Sequence, residues 1–155
     1  MKILVLGFSG SGKTTAAEIL AKIVGGKVAN DSDYIIADYA KSTGQDVDYV
    51  KKNKPALRDE LFKFARAKQA EDPAYPINLE FADGANIITG TRNPDEMAVK
   101  RKLYDLVIWI DRPTCSPGST DKLGPEYADA TVVNDGTFED LALKLKQVVR
   151  ERQTI

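Results

Sequence analysis

Residues Ile3 to Val24 constrain this chain more than any other stretch of its 155 residues. Ile3-Leu4-Val5-Leu6 is a short, branched apolar run with the character of a buried strand. Gly7-Phe8-Ser9-Gly10-Ser11-Gly12-Lys13-Thr14 follows and fits the pattern Gly-x-x-x-x-Gly-Lys-[Ser/Thr]. Thr15 to Val24 then reads as a helix closed by Gly25 and Gly26. Strand, glycine-rich turn and helix in that order make a phosphate cradle. The glycines let successive backbone N–H groups face an anion, and the helix adds the positive end of its dipole. Ser9, Gly10, Ser11, Gly12, Lys13, Thr14 and Thr15 are the expected nucleotide-binding residues. The Lys13 ammonium suits the β- and γ-phosphates of ATP, and the Thr14 hydroxyl suits Mg²⁺.

Further along, short apolar runs alternate with helical patterns. Lys27-Val28-Ala29-Asn30, Asn86-Ile87-Ile88-Thr89, Leu106 to Ile110 and Ala130-Thr131-Val132-Val133 read as four more strands. Helices are expected at 34–41, within the charged stretch 45–72, near 77–81, from Asn93-Pro94 onward, and at 138–151. Leu57, Leu61, Phe62 and Ala65 have helical spacing and are expected in the core. Residues 112–128 are rich in Pro, Gly, Ser and Thr and are expected to form a mobile, lid-like loop. This alternation predicts an α/β fold of three layers: a five-stranded parallel sheet with helices on both faces. One domain spans 1–155, with 34–85 as an insertion suited to a second substrate. The P-loop, Asp31/Asp33, Thr91-Arg92 and Asp111-Arg112 all follow strand ends, the edge where such sheets bind ligands.

Composition narrows the chemistry. Twenty-two basic and 23 acidic residues nearly cancel, so no bulk attraction to nucleic acid or membrane is expected. There is no apolar run of spanning length, and Met1-Lys2 leads straight into the first strand, which predicts a cytoplasmic protein without a signal peptide. Cys115 is the single cysteine and has no partner. The chain contains no histidine, which removes Ser-His and Cys-His nucleophiles and most zinc sites. Carboxylates, lysine, arginine and Mg²⁺ remain, the groups used for phosphoryl transfer. A guanine-selecting Asn-Lys-x-Asp is absent, and the third strand ends in Thr89-Gly90-Thr91 without an acid of the motor-ATPase type.

The segment Thr91-Arg92-Asn93-Pro94-Asp95-Glu96-Met97 resembles the T-R-x-x-x-E-M segment of bacteriophage-type deoxynucleoside monophosphate kinases. Arg112-Pro113 and the closing Asp129 to Leu141, with its Asn134-Asp135-Gly136, are similar to further segments of that family. The chain departs from the family at Gly90, where an acid is expected, and in lacking long insertions between strands two and three. The resemblance implies transfer of the ATP γ-phosphoryl group to a (deoxy)nucleoside monophosphate in a host cytoplasm, by a monomer or homodimer. It also implies that Arg112 closes over the transferred group. Asp31-Ser32-Asp33-Tyr34-Ile35-Ile36-Ala37 is similar instead to a stretch of dephospho-CoA kinases, so a hydroxyl acceptor is the alternative. A nucleotide-binding regulatory module with little turnover is a third possibility.

The remaining assignments each have a plainer alternative. Arg92 suits an acceptor phosphate, or a surface ion pair. Arg58 suits the same phosphate, or an exposed helix charge. Asp31 suits hydrated Mg²⁺ and Asp33 the acceptor sugar, or both cap a helix. Asn134 and Gly136 suit the edge of the donor adenine, or a plain turn.

Overall fold

A computed structural model describes residues 1–154. Its centre is a sheet of five parallel strands, β1 (Ile3–Leu6), β2 (Val28–Asn30), β3 (Ile87–Thr89), β4 (Leu106–Asp111) and β5 (Ala130–Val133), in the order β2-β3-β1-β4-β5. β1 runs in register with β3 on one side (Ile3 beside Ile87) and β4 on the other (Ile3 beside Leu106). The helices are α1 (Lys13–Val24), α2 (Asp31–Thr43), α3 (Val47–Lys52), α4 (Lys54–Glu71), α5 (Ile77–Ala82), α6 (Pro94–Lys100) and α7 (Phe138–Gln153). All β1 side chains are buried because both sheet faces are covered, which is why the strand reads as unbroken apolar sequence. Ile3, Val5, Ile108 and Ile110 pack under α1 and α7 with Leu20 and Leu145. Leu4, Leu6, Ile88 and Trp109 face the other way, toward Ile77, Met97 and Tyr104. The expected three-layer α/β architecture is the one observed.

Several local expectations need correction. Helix α2 begins at Asp31 rather than near Tyr34, because Asn30 is the cap: its side chain accepts the Ser32 N–H at 2.9 Å. The charged stretch 45–72 is two helices broken at Asn53. Pro55 explains the break, since it fits a first helical turn and not a helix interior. Leu61 is buried with Ile36, Tyr39 and Val50, but Phe62 points away and is 55% exposed. The 112–128 loop carries local structure and one core contact. Leu123 is buried beside the Trp109 side of the core, and Pro125–Tyr127 form a 3₁₀ turn. Among the described residues, no helix is long and apolar enough to cross a membrane.

Candidate functional site

The P-loop turns from β1 into α1 at Gly12, whose φ of 99° is left-handed. A Cβ there would meet Asn134 Nδ2 at 2.6 Å, and that same Nδ2 donates to the Ser11 carbonyl at 2.9 Å. The strand-to-helix loop before α7 therefore braces the cradle. The first bond of α1 runs from Ala16 N–H to Gly12 O at 2.9 Å, which leaves the amides of Lys13, Thr14 and Thr15 for a ligand. Ser11 builds the loop instead of opening to the cleft, a correction to its expected role as a nucleotide contact. Its N–H bonds Phe8 O at 3.0 Å, and its hydroxyl is sealed from solvent. The Lys13 Nζ donates to Gly7 O at 2.6 Å, folded back along the loop. Burial lowers the Lys13 pKa and the Arg92 guanidinium lowers it further, while the Asp121 carboxylate opposes both.

Asp121 was not expected in this site. Its carboxylate accepts the Ser9 N–H at 3.1 Å, the Gly118 N–H at 2.8 Å and the Arg92 Nη1 at 3.2 Å. Burial works against its charge, but the amides of Gly118 and Ser9 outweigh it and hold the carboxyl below its usual pKa. Arg92 Nη1 also donates to Thr120 Oγ1 at 3.2 Å. The loop is thereby closed onto the P-loop by a carboxylate lying on one of the cradle's amides. The space between Leu6, Gly7, Thr91, Arg92, Trp109 and the Asp121–Leu123 segment is only about 10 Å³. Its sequence signal was faint: one acid two residues before an isolated leucine in a polar loop.

The opposite side of the P-loop is open. A cleft of about 410 Å³ is lined by Gly12, Thr15, Arg112, Pro113, Thr114, Asn134, Gly136, Phe138 and Leu141. Arg112 stands on this wall because β4 ends at Asp111, whose carbonyl takes the Asn134 N–H at 2.7 Å. In this geometry Arg112 joins Asn134 and Gly136 on the cleft wall, and Arg92 is the arginine beside the cradle.

Beneath Arg92 lies a buried polar cluster. Asp31 is 4% exposed, and its Oδ2 accepts the Thr91 hydroxyl at 3.2 Å. Glu80 from α5 places its carboxyl against that of Asp31. Burial, then the Asp31 charge, push the Glu80 pKa up to about 10, so Glu80 keeps its proton at neutral pH. Burial also raises the Asp31 pKa, opposed by the Lys100 ammonium, whose Nζ lies 3.6 Å from Glu96 Oε2. Asp31 Oδ1 is sealed from solvent. Asp31 is thus withdrawn as a ligand of hydrated Mg²⁺: neighbouring protein groups enclose its carboxylate. Thr14 is exposed beside the free amides and fits the metal, because Mg²⁺ takes few protein ligands when phosphates and water supply the rest. Gly90 adopts a φ of 109°, and a Cβ there would lie 3.1 Å from the Asp31 nitrogen. The close approach of β3 to α2 and the left-handed φ both disfavour the acid expected at that position. Asp33 and Arg58 are both exposed, on α2 and α4 respectively.

The chain was compared with known proteins. No family model matches it, and no curated protein matches it. Solved structures do. A shikimate kinase from Aquifex aeolicus superposes with a TM-score of 0.60 at 16% identity, over 99% of both chains. A shikimate kinase from Acinetobacter baumannii, in complex with shikimate, gives 0.58 at 18%, over 99% of this chain and 95% of that one. A sugar kinase from Janibacter gives 0.51 at 21%, over 96% and 94%. The fold of this chain matches that of these kinases. At these identities the likeness establishes the fold alone.

Proposed function

We propose that this protein transfers the γ-phosphoryl group of ATP to a nucleoside monophosphate. The observation that carries the reading is the anion already held between the P-loop and Arg92. The Asp121 carboxylate takes the Ser9 N–H and the Arg92 guanidinium at 3.1 and 3.2 Å, where an acceptor phosphate needs the same donors. The open cleft beside Thr15, Arg112 and Asn134 then takes the donor nucleoside, with Arg112 as a planar wall for adenine. Lys13 leaves Gly7 O for the β- and γ-phosphates, and Asp121 yields its place to phosphate.

An acceptor phosphate is already a nucleophile at neutral pH, so the site needs no general base. The protein's contribution is in-line alignment and the charge of Lys13 and Arg92, in a cleft from which the loop excludes water. Mg²⁺, held through Thr14, would add charge neutralisation on the β- and γ-oxygens. Thr91 aims Arg92 by its bond to Asp31.

A second reading keeps the kinase and changes the acceptor to a hydroxyl. It is favoured by Asp33, an exposed carboxylate in the first turn of α2 that would act as base. ADP release measured with nucleoside monophosphates, dephospho-CoA and shikimate as acceptors separates the two. Turnover with a monophosphate supports the first reading; turnover with the hydroxyl acceptors alone refutes it.

A further inference from the structure

Lys54, Arg58, Phe62 and Arg66 succeed one another at four-residue intervals along α4 and form one ridge of that helix. The core-facing residues are others, Leu57, Leu61 and Phe64. Both ends of the ridge are tied to helix starts at the C-terminal edge of the sheet. Lys54 Nζ donates to Ser32 Oγ at 2.9 Å, in the first turn of the helix that follows β2. Arg66 Nη2 lies 4.0 Å from Asp95 Oδ2, in the first turn of the helix that follows β3. β2 and β3 are neighbours, so the ridge bridges the first turns of the two helices that leave their C-terminal ends, the sheet edge that carries Arg92.

Single exposed apolar residues are ordinary on protein surfaces. Phe62 differs in its surroundings. Its ring already carries a stacked planar cation, with the Arg66 guanidinium carbon 5.2 Å from the ring centroid, yet the residue remains 55% exposed. The next ridge position, Arg58, is exposed and has no ion-pair partner among the described residues. Arg58 and Phe62 are about 6 Å apart along the helix, a spacing that suits a 5′-phosphate and its base.

We propose that Phe62 is the stacking platform for the acceptor's nucleobase, between two arginines that hold and neutralise the ligand. The proposal rests on the nucleoside monophosphate reading and deepens it: the acceptor carries a planar aromatic ring as well as a phosphate. A π face accepts every base, so stacking on Phe62 gives binding energy with little discrimination among bases.

The experiment compares wild type, Phe62→Ala and Phe62→Trp by steady-state ADP release with each nucleoside monophosphate and with ribose 5-phosphate, which has no base. Melting curves and KM for ATP are recorded for all three. The expected result is a rise in acceptor KM of about 5- to 150-fold for Phe62→Ala, the range of a lost base–aromatic stack. KM for ATP and the melting curve stay at wild-type values, Phe62→Trp keeps wild-type KM, and KM for ribose 5-phosphate does not change between variants. If the wild type uses nucleoside monophosphates and Phe62→Ala uses them equally well, the platform is refuted and the kinase reading stands. Equal losses with and without a base also refute it, since the ring would then support the helix. If the wild type accepts no nucleoside monophosphate, both fall.

Discussion

The two sides of the P-loop are built for the same ligand charge but stand in different states. On the α7 side, Arg112, Asn134 and Gly136 frame an open cleft of about 410 Å³. On the α6 side, Arg92 and the Ser9 amide hold the protein's own Asp121, and about 10 Å³ is left. On the proposed reading, the open side braced by Asn134 is the donor half, and the Arg92 side is the acceptor half, completed when one anion replaces another. The two arginines expected to share the transferring phosphoryl group divide between these halves.

Lys13 stands where the halves meet, and its loss should have the largest effect. Lys13→Ala is expected to keep the fold and to lower kcat by about two to three orders of magnitude, as for deletion of a preorganised charge stabiliser. A near-wild-type kcat under saturating ATP would break the comparison at its centre. The arginines should separate the two sides. Arg92→Ala is expected to raise acceptor KM by about 10- to 150-fold, the range for hydrogen bonds to a charged group, with ATP affinity nearly unchanged. Arg112→Ala is expected to do the reverse, raising KM for ATP by about 2- to 30-fold through loss of a stacking wall. Titrating each substrate separately reads both, and equal losses for both substrates in either variant would show that the halves are not distinct.

Asp121→Asn sharpens the comparison from the other direction. Removing the carboxylate that occupies the cradle should improve ATP and acceptor affinity by about 2- to 10-fold, the scale of one or two hydrogen bonds. Weaker binding of both, measured by calorimetry, would mean that Asp121 assists the ligands instead of yielding to them. A smaller effect is expected beneath Arg92. Glu80 keeps its proton in the fold up to about pH 10 and loses it in the unfolded chain near an ordinary carboxyl pKa. The folded state therefore binds more protons across that window, and the Glu80 contribution falls as pH rises through it. Glu80→Gln should flatten the decline of stability between about pH 5 and 9 in denaturant titrations; an unchanged slope would remove Glu80 as its source.

The sheet, the P-loop and the order of elements were legible because each rests on local sequence: branched runs for strands, glycines for the turn, Pro and Asn at helix starts. The Arg92 side was not, because it depends on contacts distant in the chain. Nothing near Asp121 announces Ser9, 112 positions away. Asp31 reads as an exposed strand-end acid until Glu80, Thr91 and Lys100 close around it. Phe62 fits the helical apolar spacing, yet it lies on the ridge beside the buried row, and one position of helix rotation separates core from surface. Gly90 is explained only by how closely Asp31 approaches it.

The most direct test of the central claim is steady-state ADP formation by the purified protein with Mg²⁺-ATP, in the absence and presence of each ribo- and deoxyribonucleoside monophosphate. Slow turnover alone and strong stimulation by at least one monophosphate are expected, with the matching diphosphate formed in equal amount to ADP. ADP formation indifferent to every monophosphate, or stimulated without any diphosphate product, would contradict that claim.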